Sequence, residues 1–179
     1  MPTALLIIDV QQGLCEGDSA PYDLAGTIAR INLVAATARA AGAPVIFIQH
    51  EGRDGYLEHG SDGWQLARDL EVAPSDLRVR KTAADSFHLT ELASVLDHHG
   101  VKDLVICGMH TEFCVDTTTR RALALGYPVV LVSDAHTTAG HADLSPALVI
   151  RHHNHTLGNI TSFGPRVRLV PAAELTFEA

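Results

Sequence analysis

Residues 103–134, DLVICGMHTEFCVDTTTRRALALGYPVVLVSD, carry the reading on which the fold turns. The run DLVICG (103–108) lacks the every-second-residue alternation of a half-exposed strand and reads as a strand buried on both faces. EFCVDTTTRRALALG (112–126) spaces its apolar residues for a helix and ends on Gly126, after which PVVLVSD (128–134) returns to strand. A helix between two buried strands is the connection a parallel pair requires.

The same alternation extends outward in both directions. TALLIID (3–9), PVIFIQH (44–50) and DLRVRK (76–81) read as strands, and LAGTIARINLVAATARAAG (24–42), ending on Gly42, and LTELASVLDHHG (89–100) as helices. Residues 142–179 add one helix and an edge strand, RVRLV. The fold class is therefore α/β, a three-layer sandwich with a mostly parallel, Rossmann-like sheet and helices on both faces. No internal repeat or linker interrupts the 179 residues, which fit a single domain over 1–179. The segment 51–75 has no clear periodicity, and long loops of that kind often carry function.

Composition excludes several classes of partner. Net charge is -8 and the basic residues are scattered, so there is no footprint for a phosphate backbone and nucleic acid is not expected. No window approaches the roughly 18 apolar residues of a membrane span, and the first residues lack a signal-like basic flank, so the expectation is a cytoplasmic protein. Cys15, Cys107 and Cys114 match neither a disulfide framework nor a zinc knuckle.

Ligands of open parallel sheets bind beyond the carboxyl ends of the strands. Asp9, Lys81 and Cys114 all fall there, and an acid, a cation and a thiol on one edge form a candidate site. Singly, each has a plain alternative: an Asp that caps a turn, a solvated Lys, a packed Cys. Thr111 is placed to cap the following helix, which would set Cys114 in its first turn, where a thiol pKa is lowered. Cys107 lies within its strand and reads as core, while Cys15 has no activating neighbour in sequence.

The motifs ALLIIDVQ, RKTAADSFHLTEL and LVICGMHTEFCVDTTTRRALALGYPVVLVSDA, in that order, resemble the isochorismatase-like cysteine hydrolases. The resemblance implies Asp9 as general base, Lys81 as its electrostatic partner and Cys114 as nucleophile. It also implies a cis peptide between Met109 and His110, with the amides of His110 and Cys114 as an oxyanion hole. The implied activity is cleavage of the C–N bond of a small amide or lactam through a thioester, without a cofactor, in a homodimer or homotetramer. Gln11, His50, Trp64, Phe87, Met109 and His136 are then expected around the substrate, with Trp64 either walling the pocket or anchoring the 51–75 loop.

Two signals pull elsewhere. Nicotinamidases of that family carry an Asp-x-His metal motif after the second strand; here the segment reads IQHEG, so no metal is expected, and His50, Glu51 and His59 stand as the alternative ligand set. GSDGWQL, IQHEG, TEFCVDTT and DAHTT together look most like the subgroup around streptothricin hydrolase. RHHNHT (151–156) reads either as a metal cluster or as a packed or subunit-contact group. From another functional class, a redox-sensing or thiol-binding protein would use Cys114 without hydrolysis.

Overall fold

A computed structural model describes residues 2–17, 20–53 and 55–177. Among these, the strands are β1 (Thr3–Ile8), β2 (Val45–His50), β3 (Leu77–Lys81), β4 (Asp103–Met109), β5 (Val129–Thr137) and β6 (Val167–Val170). The helices are α1 (Gln12–Cys15), α2 (Leu24–Ala40), α3 (Leu92–His98), α4 (Asp116–Ala124) and α5 (Pro146–Gly158). The six strands form one sheet in the order β3-β2-β1-β4-β5-β6, and every pairing is parallel.

Continuous burial of the central strands reflects helices on both faces. Leu5 and Ile7 of β1, with Val105, Cys107 and Met109 of β4, pack in one core cluster together with Ile28, Ile31, Val34, Ala35 and Ala38 of α2. Ala4, Leu6 and Ile8, with Leu104 and Ile106, pack in the other, beneath Leu92 and Leu96 of α3, Ala122 and Leu123 of α4, and Leu157 of α5. The two-residue period of a strand thus divides one apolar run between two cores. The edge strands differ: β3 exposes Arg78 and Arg80 while burying Val79 and Lys81, and β6 exposes Arg168.

The order reverses between β1 and β4, which makes their carboxyl ends the topological switch point where such sheets open a crevice. Gly108, at the end of β4, has φ +117°, and a Cβ there would stand 2.1 Å from the carbonyl oxygen of Ile8, so only glycine lets the two strand ends approach this closely. The β4–β5 register slips between Ile106↔Leu131 and Gly108↔His136, a bulge that carries β5 three residues past its expected end at Asp134. Among the described residues of 51–76 there is no helix or strand. They are tied down by the bridge between Gln11 and Leu66 and by Trp64, whose carbonyl accepts from the amides of Gln11 and Gln49 at 2.9 Å each.

The helix expected over 112–126 has two parts: a π-helical turn, Thr111–Val115, followed by α4. Its N-cap is His110, and the Met109–His110 peptide bond is cis. No helix is long and apolar enough to cross a membrane among the described residues.

Candidate active site

β1, β3 and the turn after β4 deliver Asp9, Lys81 and Cys114 to one point at the switch. Asp9 follows β1 with φ +53°, a conformation that non-glycine residues adopt rarely and that here turns the carboxylate into the crevice mouth. Lys81 comes from β3, two strands away. The in/out alternation of that strand points it inward, and its long stem crosses past His50, its register partner on β2. Both Asp9 and Lys81 are almost fully buried.

Four groups surround the Lys81 ammonium. It lies 2.8 Å from Asp9 Oδ2, 2.9 Å from the carbonyl oxygen of Ala83, 3.2 Å from His50 Nδ1 and 3.2 Å from Cys114 Sγ. Its three protons have three hydrogen-bond acceptors, the Ala83 carbonyl, His50 Nδ1 and Cys114 Sγ; the Asp9 contact is an ion pair, and neither Asp9 oxygen has a hydrogen-bond partner among the described residues. Burial, and next the Lys81 charge, hold His50 below the usual imidazole range; a neutral ring presents Nδ1 as an acceptor. Fixing Lys81 through the Ala83 carbonyl has no signature in sequence, since any residue supplies a carbonyl.

The thiol does not behave as its expected position implied. Burial, reinforced by the negative charge of Asp9, pushes Cys114 up to about 12, although Lys81 pulls the other way. Two assumptions fail. Thr111 does not cap the helix, because its hydroxyl is 2.9 Å from His136 Nδ1, and the half-buried sulfur is desolvated against the second core cluster. The resting group is therefore a neutral thiol hemmed between a carboxylate and an ammonium. Burial raises Cys15 to about 11 and lifts the fully buried Cys107 too, so none of the three is a ready thiolate.

The remaining candidates divide by what they touch. Gln11 spends its side chain inside the protein, donating to the carbonyls of His50 and Trp64 and accepting from the His50 amide at 2.8 Å. Trp64 is buried edge-on against His59 and anchors the loop. Phe87 stacks on Tyr127, 6.1 Å between centroids, in the second core cluster, and Met109 packs in the first. His136 is also structural. It is buried between Thr111 and Asn154, with Nε2 2.9 Å from Asn154 Oδ1, and burial lowers it to about 4. Of the six residues expected around the substrate, His50 is the one in contact with Lys81.

The alternative metal set does not assemble. Glu51 is paired with Arg80, and His59 packs on Trp64. Among the described residues, the close group of metal-type ligands is Asp9, His50 and Cys114, within 4.8 Å of one another. Lys81 already touches one such atom from each, so a fixed cation of the chain itself fills that role. In RHHNHT, His152 and His153 turn to different partners, Thr156 Oγ1 at 3.4 Å and the Val149 carbonyl at 2.9 Å.

Comparison with known proteins identifies the family. The isochorismatase domain model matches residues 3–162. Two streptothricin hydrolases of Streptomyces noursei are 38% and 36% identical over 94% and 95% of this chain, which spans 64% and 71% of their lengths. A ureidoacrylate amidohydrolase RutB of Pseudomonas syringae pv. syringae (strain B728a) is 31% identical over 77% of this chain and 71% of its own. Among solved structures, an isochorismatase family protein superposes with a TM-score of 0.87 at 36% identity, covering 94% of this chain and 98% of that one. A cysteine hydrolase from Pseudomonas syringae pv. phaseolicola 1448A does so with a TM-score of 0.87 at 26% identity, covering 97% and 90%. With a family model matched over residues 3–162, a relative 36% identical across nearly the whole chain and a solved structure of the same fold, this chain belongs to the isochorismatase family.

Proposed function

We propose that the protein is a cysteine-dependent amidohydrolase that cleaves the C–N bond of a small amide or lactam, with Cys114 as nucleophile, Asp9 as general acid and base, and Lys81 as their electrostatic partner. The observation that carries this reading is the Lys81 ammonium in simultaneous contact with the Asp9 carboxylate and the Cys114 sulfur. The relatives named as streptothricin hydrolases and as an amidohydrolase support small-molecule amide hydrolysis.

A thiol held near 12 cannot attack as a preformed thiolate, so its proton leaves as the S–C bond forms. Asp9 takes that proton. The ammonium proton that Lys81 already directs at Sγ, with the charge behind it, stabilises the negative charge that develops on the sulfur. The carbonyl oxygen turns toward the amides of His110 and Cys114. Collapse of the adduct expels the amine, which takes the proton from Asp9 and leaves a thioester. Water, deprotonated by the same carboxylate, then adds to the thioester, releases the acid and returns the proton to sulfur.

The test is amine or ammonia release across a panel of small amides and lactams, with mass spectrometry of the protein. An acyl adduct on Cys114 and loss of turnover in Cys114→Ala are expected. Turnover by Cys114→Ala equal to the parent would sink the assignment. The redox reading is weaker on two grounds: the thiols are all raised, and Cys15 packs against the first core cluster while Cys114 packs against the second, across the sheet.

A further inference from the structure

His50 ends β2, between Asp9 after β1 and Lys81 at the end of β3, and the proposed reaction leaves it without a task. Its main chain is held on one side by Gln11, which accepts from the His50 amide at 2.8 Å and donates to the His50 carbonyl at 3.0 Å. Its ring reaches the other way, with Nδ1 3.2 Å from the Lys81 ammonium. Beside this pair, neither oxygen of the buried Asp9 carboxylate accepts a hydrogen bond among the described residues, although the ammonium is 2.8 Å from Oδ2.

The sharing of the ammonium protons accounts for that. One goes to the Ala83 carbonyl, one to Cys114 Sγ and one to His50 Nδ1, so none remains for Asp9. An imidazolium could not take the third, because both of its nitrogens donate; burial, and next the Lys81 charge, keep the ring neutral. A carboxylate that accepts a hydrogen bond holds its charge more firmly and takes up a proton less readily. Bonded to Lys81, Asp9 would be the weaker base, and the thiol it faces is held near 12.

We propose that His50 is a positioning residue that draws one Lys81 proton away from Asp9 and so keeps the carboxylate free to accept the proton of Cys114. The part this plays in turnover rests on the hydrolase reading, while the proton distribution itself does not. The titratable groups facing Asp9 are Lys81 from β3, His50 from β2, and His110 and Cys114 from the chain after β4. Glu51, which also faces His50, is paired with Arg80.

Asparagine sets an acceptor oxygen near the place of Nδ1, whereas leucine fills the space with none. His50→Asn is therefore the conservative variant and His50→Leu the disruptive one, with His50→Val in its place if the leucine variant does not fold. Carbon NMR of the full chain labelled at its aspartate carboxyls, with the Asp9 signal assigned by its loss in Asp9→Asn, reads the protonation midpoint of Asp9 without substrate. That midpoint is expected to fall by about one pH unit or more in His50→Leu and to stay within about half a unit of the parent in His50→Asn. In an amide assay, His50→Leu should lose about tenfold or more of kcat with KM little changed, and His50→Asn should recover most of it. A midpoint that does not fall in His50→Leu, or that falls as far in His50→Asn, overturns the proposal. A raised KM with unchanged kcat assigns His50 to substrate contact and overturns it as well. The NMR titration needs no turnover, so a parent protein inactive on every amide counts against the hydrolase reading and leaves the proton distribution to be decided by the midpoints.

Discussion

Cys114 and Asp9 are coupled in a way that separates protonation from catalysis. The Asp9 charge helps to hold the thiol near 12, and the same carboxylate is the proposed proton acceptor. Asp9→Asn should therefore speed alkylation of Cys114 by iodoacetamide at neutral pH, because Lys81 then acts unopposed, while abolishing amide turnover. A variant slowed in both would show that Asp9 acts only by placing the thiol. Lys81→Met should lose turnover and also about 3 kcal/mol of stability, since it strands a buried carboxylate; urea unfolding measures the second effect. Asp9, Lys81 and Cys114 were legible as a group because strand ends meet at one edge of a parallel sheet. The state of the thiol was not, because it depends on how much water the fold removes, which a helix-start position does not report.

At the scale of elements, the switch point depends on Gly108. Its positive φ and the 2.1 Å approach of a Cβ to the Ile8 carbonyl mean that Gly108→Ala must part β1 from β4 where Asp9 and His110 begin. A loss of about 3 kcal/mol, read from the urea midpoint, is expected, with turnover falling further than stability alone accounts for. The loop 51–76 hangs on side-chain amides, so Gln11→Ala should leave the sheet intact and expose that loop to limited proteolysis. The strands were legible to within a few residues because all-apolar runs have one use in an α/β sheet. Two details were not: the π-helical turn, since TEFCV has ordinary helical spacing, and the extension of β5 to Thr137, since a bulge is set by pairing with β4. Phe87, Met109 and His136 were expected around the substrate; Phe87 and Met109 pack in the two core clusters, and His136 is buried between Thr111 and Asn154.

For the molecule as a whole, acid is the weak side. His136 titrates at about 4 when folded and 6.5 when free, and burial also lowers His50 and His110. Between these values the unfolded chain binds the extra proton, so stability rises with pH across that window and is lost as pH falls through it. For His136 alone the loss is about 3 kcal/mol, complete near pH 4. Chemical denaturation at stepped pH checks this, and His136→Gln should flatten the slope.

The arginines of the edge strands have a consequence for solubility. An open parallel sheet presents unpaired backbone at β3 and β6, which other chains can extend. The alternation that buries Lys81 also sets Arg78 and Arg80 outward on β3, and Arg168 stands exposed on β6. Edge-to-edge docking of two copies would bring these guanidinium groups close, with Arg80 already neutralised by Glu51 and Arg78 bonded to Gln49. The lysine in the candidate active site and the guard against aggregation thus come from one five-residue pattern, LRVRK, read on its two faces.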